Sequence, residues 1–133
     1  MGNRADLIRR RAAARYASGM PAHDDPMLID PLALSQRVTE AYRNVALGQV
    51  NDHEIRLSVM TRQFGWHRHP DSDESFLGVD GELVIEFEDR EVRLKPGQLV
   101  TVPAGTLHRT RPAGARSVNL TFERSNAGTI FEG

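Results

Sequence analysis

The feature that most constrains this chain is an alternation of apolar and polar side chains that sets in at residue 54. Ile55, Leu57 and Val59 alternate with Glu54, Arg56 and Ser58. Leu83, Ile85 and Phe87 alternate with Glu82, Glu86 and Glu88, and Val92 and Leu94 with Glu91, Arg93 and Lys95. Val118, Leu120 and Phe122 alternate with Ser117, Asn119, Thr121 and Glu123. Residues 98–102 and 106–111 also suit strands. Between the runs lie turn pairs: Asp80-Gly81, Asp89-Arg90, Pro96-Gly97, Ala104-Gly105 and Ala113-Gly114. Successive side chains of a strand point to opposite faces, so the pattern predicts short strands with one buried face. Many such strands at even spacing predict an all-β antiparallel sandwich or barrel.

The first part of the chain reads differently. Residues 1–26 form an Arg/Ala-rich extension, with Arg4, Arg9, Arg10, Arg11 and Arg15 set against Asp6. The stretch from Arg4 to Tyr16 suits a helix with only a thin apolar stripe. The plain reading is a solvated extension that docks on its own barrel or on a partner chain. The functional alternatives are a basic arm for an acidic surface or an organelle presequence. Residues 27–133 are read as one domain. Asp30-Pro31 is a good helix opening, because Asp caps free N–H groups and proline fits the first turn. Leu34, Val38, Tyr42 and Val45 follow at helical spacing with Leu47-Gly48 as the stop, which predicts a leading helix at about 31–47.

Composition removes several function classes. The 133 residues suit a single domain, and no run approaches the ~18 apolar residues of a membrane helix. The chain has no cysteine, which excludes disulfides, thiolate zinc sites and cysteine nucleophiles. A net charge of −1 argues against a general nucleic-acid binder. Without the apolar centre of a secretory signal, the expected location is the cytoplasm. The sequon Asn119-Leu120-Thr121 is then a coincidence.

Three of the five histidines sit in telling places. His67 and His69 stand two apart, and on a strand such residues share a face. Glu74 follows past a short Pro/Asp/Ser loop, and His108 comes after a Pro-x-Gly turn. Three neutral imidazoles and one carboxylate suit a borderline divalent ion such as Fe, Mn, Ni, Co or Zn. His23 and His53 fall outside any pattern. Asp71, Asp73, Ser75 and Glu82 fit an EF-hand register, but Phe76 occupies the position that needs glycine, so a calcium loop is rejected.

This spacing resembles that of a small single-domain cupin. The family's first motif runs His-x-His, a short gap, Glu, six residues and Gly, matched here by His67, His69, Glu74 and Gly81. The second runs Gly, five residues, Pro-x-Gly, two residues and His, matched by Gly97, Pro103, Gly105 and His108. The likeness is strongest to cupins described as mannose-6-phosphate-isomerase-like, with their Trp-His-x-His-x-Asp-x-Asp-Glu run. Two motif positions depart from the family, with Thr61 in place of glycine and Pro112 in place of asparagine. The resemblance implies a double-stranded β-helix, or jelly-roll, barrel behind a short N-terminal helical extension. It also implies that His67, His69, Glu74 and His108 are metal ligands.

Four protein ligands leave an octahedral ion room for a water or a substrate oxygen. Phe76, on the parity of Glu74, is a candidate wall of the substrate pocket, and Gln98 and Thr110 are candidate polar contacts, Thr110 on the parity of His108. Arg68, Arg109 and Arg111 fall on the opposite parity and are expected outside. Asp71 and Asp73 are read as solvated loop carboxylates, with orientation of a ligand imidazole as the alternative. Two functions remain open: a metal-dependent isomerase, dioxygenase or cyclase acting on a small oxygen-rich molecule, and a non-catalytic metal-containing binding or sensing module. A homodimer is expected, with outward Trp66 as a candidate interface anchor. Deleting residues 1–26 should leave metal content unchanged when purified protein is assayed by elemental analysis. Loss of metal would make the extension part of the site.

Overall fold

The computed structural model describes residues 26–132, and the expected 1–26 extension lies almost wholly outside them. A short helix α1 (Pro31–Ser35) leads into ten strands. These are β1 (Tyr42–Val50), β2 (His53–Met60), β3 (Phe64–Arg68), β4 (Glu74–Asp80), β5 (Leu83–Glu86), β6 (Glu91–Leu94), β7 (Leu99–Val102), β8 (His108–Pro112), β9 (Ser117–Arg124) and β10 (Ile130–Phe131). They form two five-stranded sheets ordered β1-β2-β9-β4-β7 and β10-β3-β8-β5-β6. Every ladder is antiparallel. The chain crosses repeatedly between facing sheets, which is the double-stranded β-helix that the motif spacing implies.

The leading helix is much shorter than the expected 31–47. Its start is as read: Asp30 Oδ1 accepts the Ala33 N–H at 3.0 Å and Pro31 occupies the first turn. It ends at Ser35, and Tyr42–Val50 is a strand. Tyr42 and Val45 therefore belong to β1, which pairs with β2 from Tyr42↔Met60 to Val50↔His53. The four-residue apolar spacing was ambiguous over so short a run, and the ladder to β2 decided it. Asn51, with φ of 53°, makes the turn between the two strands, a left-handed conformation that asparagine tolerates.

Two apolar clusters hold the fold. Met60, Phe76, Leu83, Ile85, Leu94 and Val102 pack between the sheets. Leu57, Val59 and Val118 pack on the outer face of the first sheet, beneath Leu34, Val38, Val45, Leu47 and Leu120. The α1 segment is fixed there by Arg116, whose guanidinium donates to the Ser35 carbonyl. The alternation in β2 and β9 thus marks the outer, helix-covered face. Their polar positions face the interior instead.

Gly81 shows why the turn after β4 demands glycine. Its φ is 67°, and a Cβ would run into the Arg116 carbonyl. Gly81→Ala should cost at least about 1–3 kcal/mol from backbone strain alone. Urea unfolding should show a lower midpoint at unchanged slope.

Candidate metal centre

His67 and His108 are register partners across the β3–β8 ladder. His69 lies just past the end of β3, and Glu74 opens β4 in the facing sheet. The four thus come from both sheets, and all four are buried. Each offers one ligand atom, and the four atoms lie within 4.8 Å of one another. Glu74 Oε1 is 3.3 Å from His69 Nε2 and 3.4 Å from His108 Nε2.

Backbone carbonyls fix the imidazoles. Nδ1–H of His67 donates to Gly65 O at 2.7 Å, that of His69 to Gly128 O at 2.9 Å, and that of His108 to Thr106 O at 2.8 Å. A carbonyl only accepts, so each Nδ1 carries a proton and each Nε2 is left to face the centre. His69 Nε2, His108 Nε2 and Glu74 Oε1 are buried without a hydrogen-bond partner. Buried polar atoms are normally paired. Three orphans aimed at one point, in a set of three imidazoles and a carboxylate, fit a divalent transition metal. The cluster could hold such an ion, with the carbonyls fixing ring orientation.

Electrostatics agree with that geometry. Burial pushes the His67 imidazole down to about 4, so it is neutral at pH 7 and ready to ligate. Burial pushes the Glu74 carboxyl up, but the His108 and His69 imidazoles outweigh it and hold the group at about 2. The Glu74 carboxylate in turn raises His69 to about 9 against the opposing effect of burial.

The cluster sits at one side of a cavity of about 470 Å³. His108, 1% exposed, lies behind the other three. Phe76 and Thr110 line the cavity, and Phe76 meets the His108 ring edge-on at 6.3 Å. Gln98 does not line it. Strand β7 begins only at Leu99, so Gln98 stays in the preceding turn, exposed, where its Oε1 accepts the Lys95 N–H at 2.9 Å. Arg68, Arg109 and Arg111 are engaged with Glu132, Glu86 and Glu91 rather than with the cavity. Trp66 is half-buried and carries the Arg109 guanidinium 4.7 Å from its ring centre.

Neither Asp71 nor Asp73 touches an imidazole. Asp73 Oδ1 accepts the Ala104 N–H, and Asp71 Oδ1 accepts the Gly128 N–H. Asp71 thereby steadies the residue whose carbonyl orients His69. Gly128 belongs to a C-terminal segment that no motif flagged. That segment closes over the site through Thr129, whose Oγ1 is 3.2 Å from His69 Nδ1. It continues as β10, whose Phe131 packs 6.0 Å from the His67 ring. Sequence reading also missed Glu54, Asn119, Thr121 and Glu123, which line the cavity. The available signal was chemical. On β9 the polar positions carry Ser117, Asn119 and Thr121, whereas the solvent-facing positions of β6 carry Glu91 and Arg93. Asn119 is 1% exposed, so its sequon is inaccessible in the folded chain.

His67→Ala or His108→Ala should abolish stoichiometric metal binding while circular dichroism still reports a folded β protein. Truncation after Ser125 removes the His69 acceptor, and such changes typically weaken metal affinity by ~10–100-fold, readable by competition with a chelator. Metal must displace the proton that His69 holds below about 9. Apparent affinity should therefore rise about tenfold per pH unit from pH 7 toward 9. Calorimetry in buffers of different ionisation enthalpy should detect the released proton, and a flat pH profile would contradict the assignment.

Comparison with known proteins agrees with the fold and the motif. Residues 53–122 match the family model for the cupin domain. An uncharacterized protein of Bacillus subtilis, YdbB, is 45% identical over 101 residues, covering 75% of this chain and 88% of that relative. Among solved structures, a cupin-2 domain protein from Shewanella frigidimarina superposes with a TM-score of 0.68 at 24% identity, over 73% of this chain and 94% of that one. A double-stranded β-helix protein from Klebsiella pneumoniae superposes with a TM-score of 0.69 at 14% identity, over 82% of this chain and 99% of that one. With the matched model covering more than half its length and the double-stranded β-helix laid out around a His₃Glu cluster, this chain belongs to the cupin family.

Proposed function

We propose that this cupin is a metal-dependent enzyme acting on a small oxygen-rich molecule, by isomerase-, dioxygenase- or cyclase-type chemistry. One observation carries the reading: the His67-His69-Glu74-His108 cluster borders a cavity of about 470 Å³ instead of being sealed in the core. That volume lies within the usual range of small-molecule sites, and a purely structural metal site is closed. A divalent ion held there supplies Lewis acidity toward a substrate oxygen, or redox chemistry if it is iron.

The chain's own residues supply the surroundings. Phe76 gives an apolar wall beside the cluster and Thr110 a hydroxyl. Glu123 adds a carboxyl in the same cavity, pushed up to about 7 by burial and by the Glu74 charge. A carboxyl of that kind exchanges protons near neutral pH, which suits acid–base work.

A homodimer is part of the proposal, since β1 and β7 are edges of one sheet and β6 and β10 of the other. A second copy is a common way to cover such an edge. Sedimentation at micromolar concentration should give a dimer, and a monomer alone would remove this part.

The functional test is elemental analysis of purified protein, followed by turnover assays with sugars, sugar phosphates, keto acids and phenols, with and without oxygen. Oxygen uptake would select the dioxygenase branch, and anaerobic conversion the isomerase or cyclase branch. Ligand-induced melting shifts without turnover would replace the enzyme with a binding module. Glu74→Gln should weaken metal retention or change which metal co-purifies.

A further inference from the structure

The cavity wall built by β2 and β9 has hydrogen-bonding capacity of its own that the ligand cluster does not use. Its inward residues pair across the ladder as Glu54↔Glu123, Arg56↔Thr121 and Ser58↔Asn119, and all six line the cavity. Glu54, Asn119 and Thr121 are at most 5% exposed. Yet Glu54 Oε2, Asn119 Oδ1, Thr121 Oγ1 and Glu123 Oε2 are buried without a hydrogen-bond partner. Each such atom costs ~1–3 kcal/mol when left unpaired. A wall holding several is built to receive donors.

The charge on the wall narrows the ligand. Arg56 is the one arginine or lysine among the described residues lining the cavity, and it is already held. Its Nη1 donates to Glu54 Oε1 at 2.7 Å and its Nε to Asn44 Oδ1. Among the described residues no free cation remains to meet a phosphate or carboxylate, and Glu123, once ionised, repels one. Between them, Asn119, Thr121 and Ser58 are neutral, which suits groups that both donate and accept. Side chains on such a wall are spaced about 4.8 Å across the ladder and about 6.6 Å along a strand. A single hydroxyl therefore cannot reach all the open acceptors.

We propose that the β2–β9 wall is a subsite for a neutral, polyhydroxylated part of the ligand, and that it excludes phosphate and carboxylate groups from that end of the cavity. This rests on the reading that an oxygen-bearing molecule reaches a metal held by the His₃Glu cluster, and it narrows the substrate class to polyols and sugars that present no anionic group at that end.

The test uses two matched probes, sorbitol and sorbitol 6-phosphate, titrated calorimetrically into the full chain loaded with Zn²⁺ or Mn²⁺. Sorbitol should bind at least ~tenfold more tightly than the phosphate ester. Thr121→Val keeps the shape and removes the hydroxyl, and should weaken sorbitol about tenfold with metal content unchanged. At pH 8, where Glu123 is mostly ionised, Glu123→Gln should raise affinity for sorbitol 6-phosphate about tenfold by removing a repelling charge. Equal or tighter binding of the phosphate ester would overturn the proposal. So would failure of sorbitol to bind the metal-loaded protein, or a Thr121→Val variant that binds sorbitol as the parent does. A chain that takes up no metal would overturn the metal reading instead. The same two probes titrated into that chain would still report the preference of the wall.

Discussion

The site depends on a pairing between backbone and side chain. Three carbonyls, from Gly65, Thr106 and Gly128, each take the Nδ1 proton of one buried histidine. That choice leaves the opposite nitrogen of each ring facing Glu74 from the other sheet. Burying polar atoms this way without partners is unfavourable. It persists because the two sheets, packed around Met60, Phe76, Leu83 and Ile85, hold the four groups in place. The β barrel is the frame and the orphaned atoms are what it exists to present.

The first sheet is asymmetric in a way that matters for function. Its outer face is apolar and lies under α1 and the segment after it. Its inner face, beyond Met60 and Phe76, turns polar along β2 and β9. A barrel of this size can fill its interior with side chains or leave a ligand cavity. Here Met60, Phe76, Leu83 and Ile85 fill part of the interior, and the part walled by β2 and β9 is left as a polar cavity. The outer apolar cover supplies burial that the interior gives up, so the cavity need not cost the domain its core.

Much of this was legible beforehand. The His-x-His spacing, the Glu74 return and the Pro-x-Gly turn before His108 named all four members of the cluster. Parity pointed to Phe76 and Thr110, and both line the cavity. Gln98, at the start of a stretch that suits a strand, lies instead in the turn before β7, which starts one residue later. Tyr42 and Val45 failed because their spacing fits either a helix or a strand, and only the partner β2 distinguishes them. Glu54 and Glu123 were not assigned to the cavity, because alternation identifies two faces without saying which one looks inward.

The amino-acid sequence by itself determined the strand rhythm, the positions of the turns and the identity of the metal-type donors. Those follow from local rules: side-chain period, glycine at left-handed φ, and the spacing of residues on one strand face. Tertiary structure alone decided the rest. It put a helix over the apolar face of β2 and β9, which sent Glu54, Asn119, Thr121 and Glu123 into the cavity. It also brought Gly128 back from the C-terminal segment to orient His69 across 59 residues of chain. Neither is encoded in a local pattern, because each depends on which surfaces meet when the sheets close.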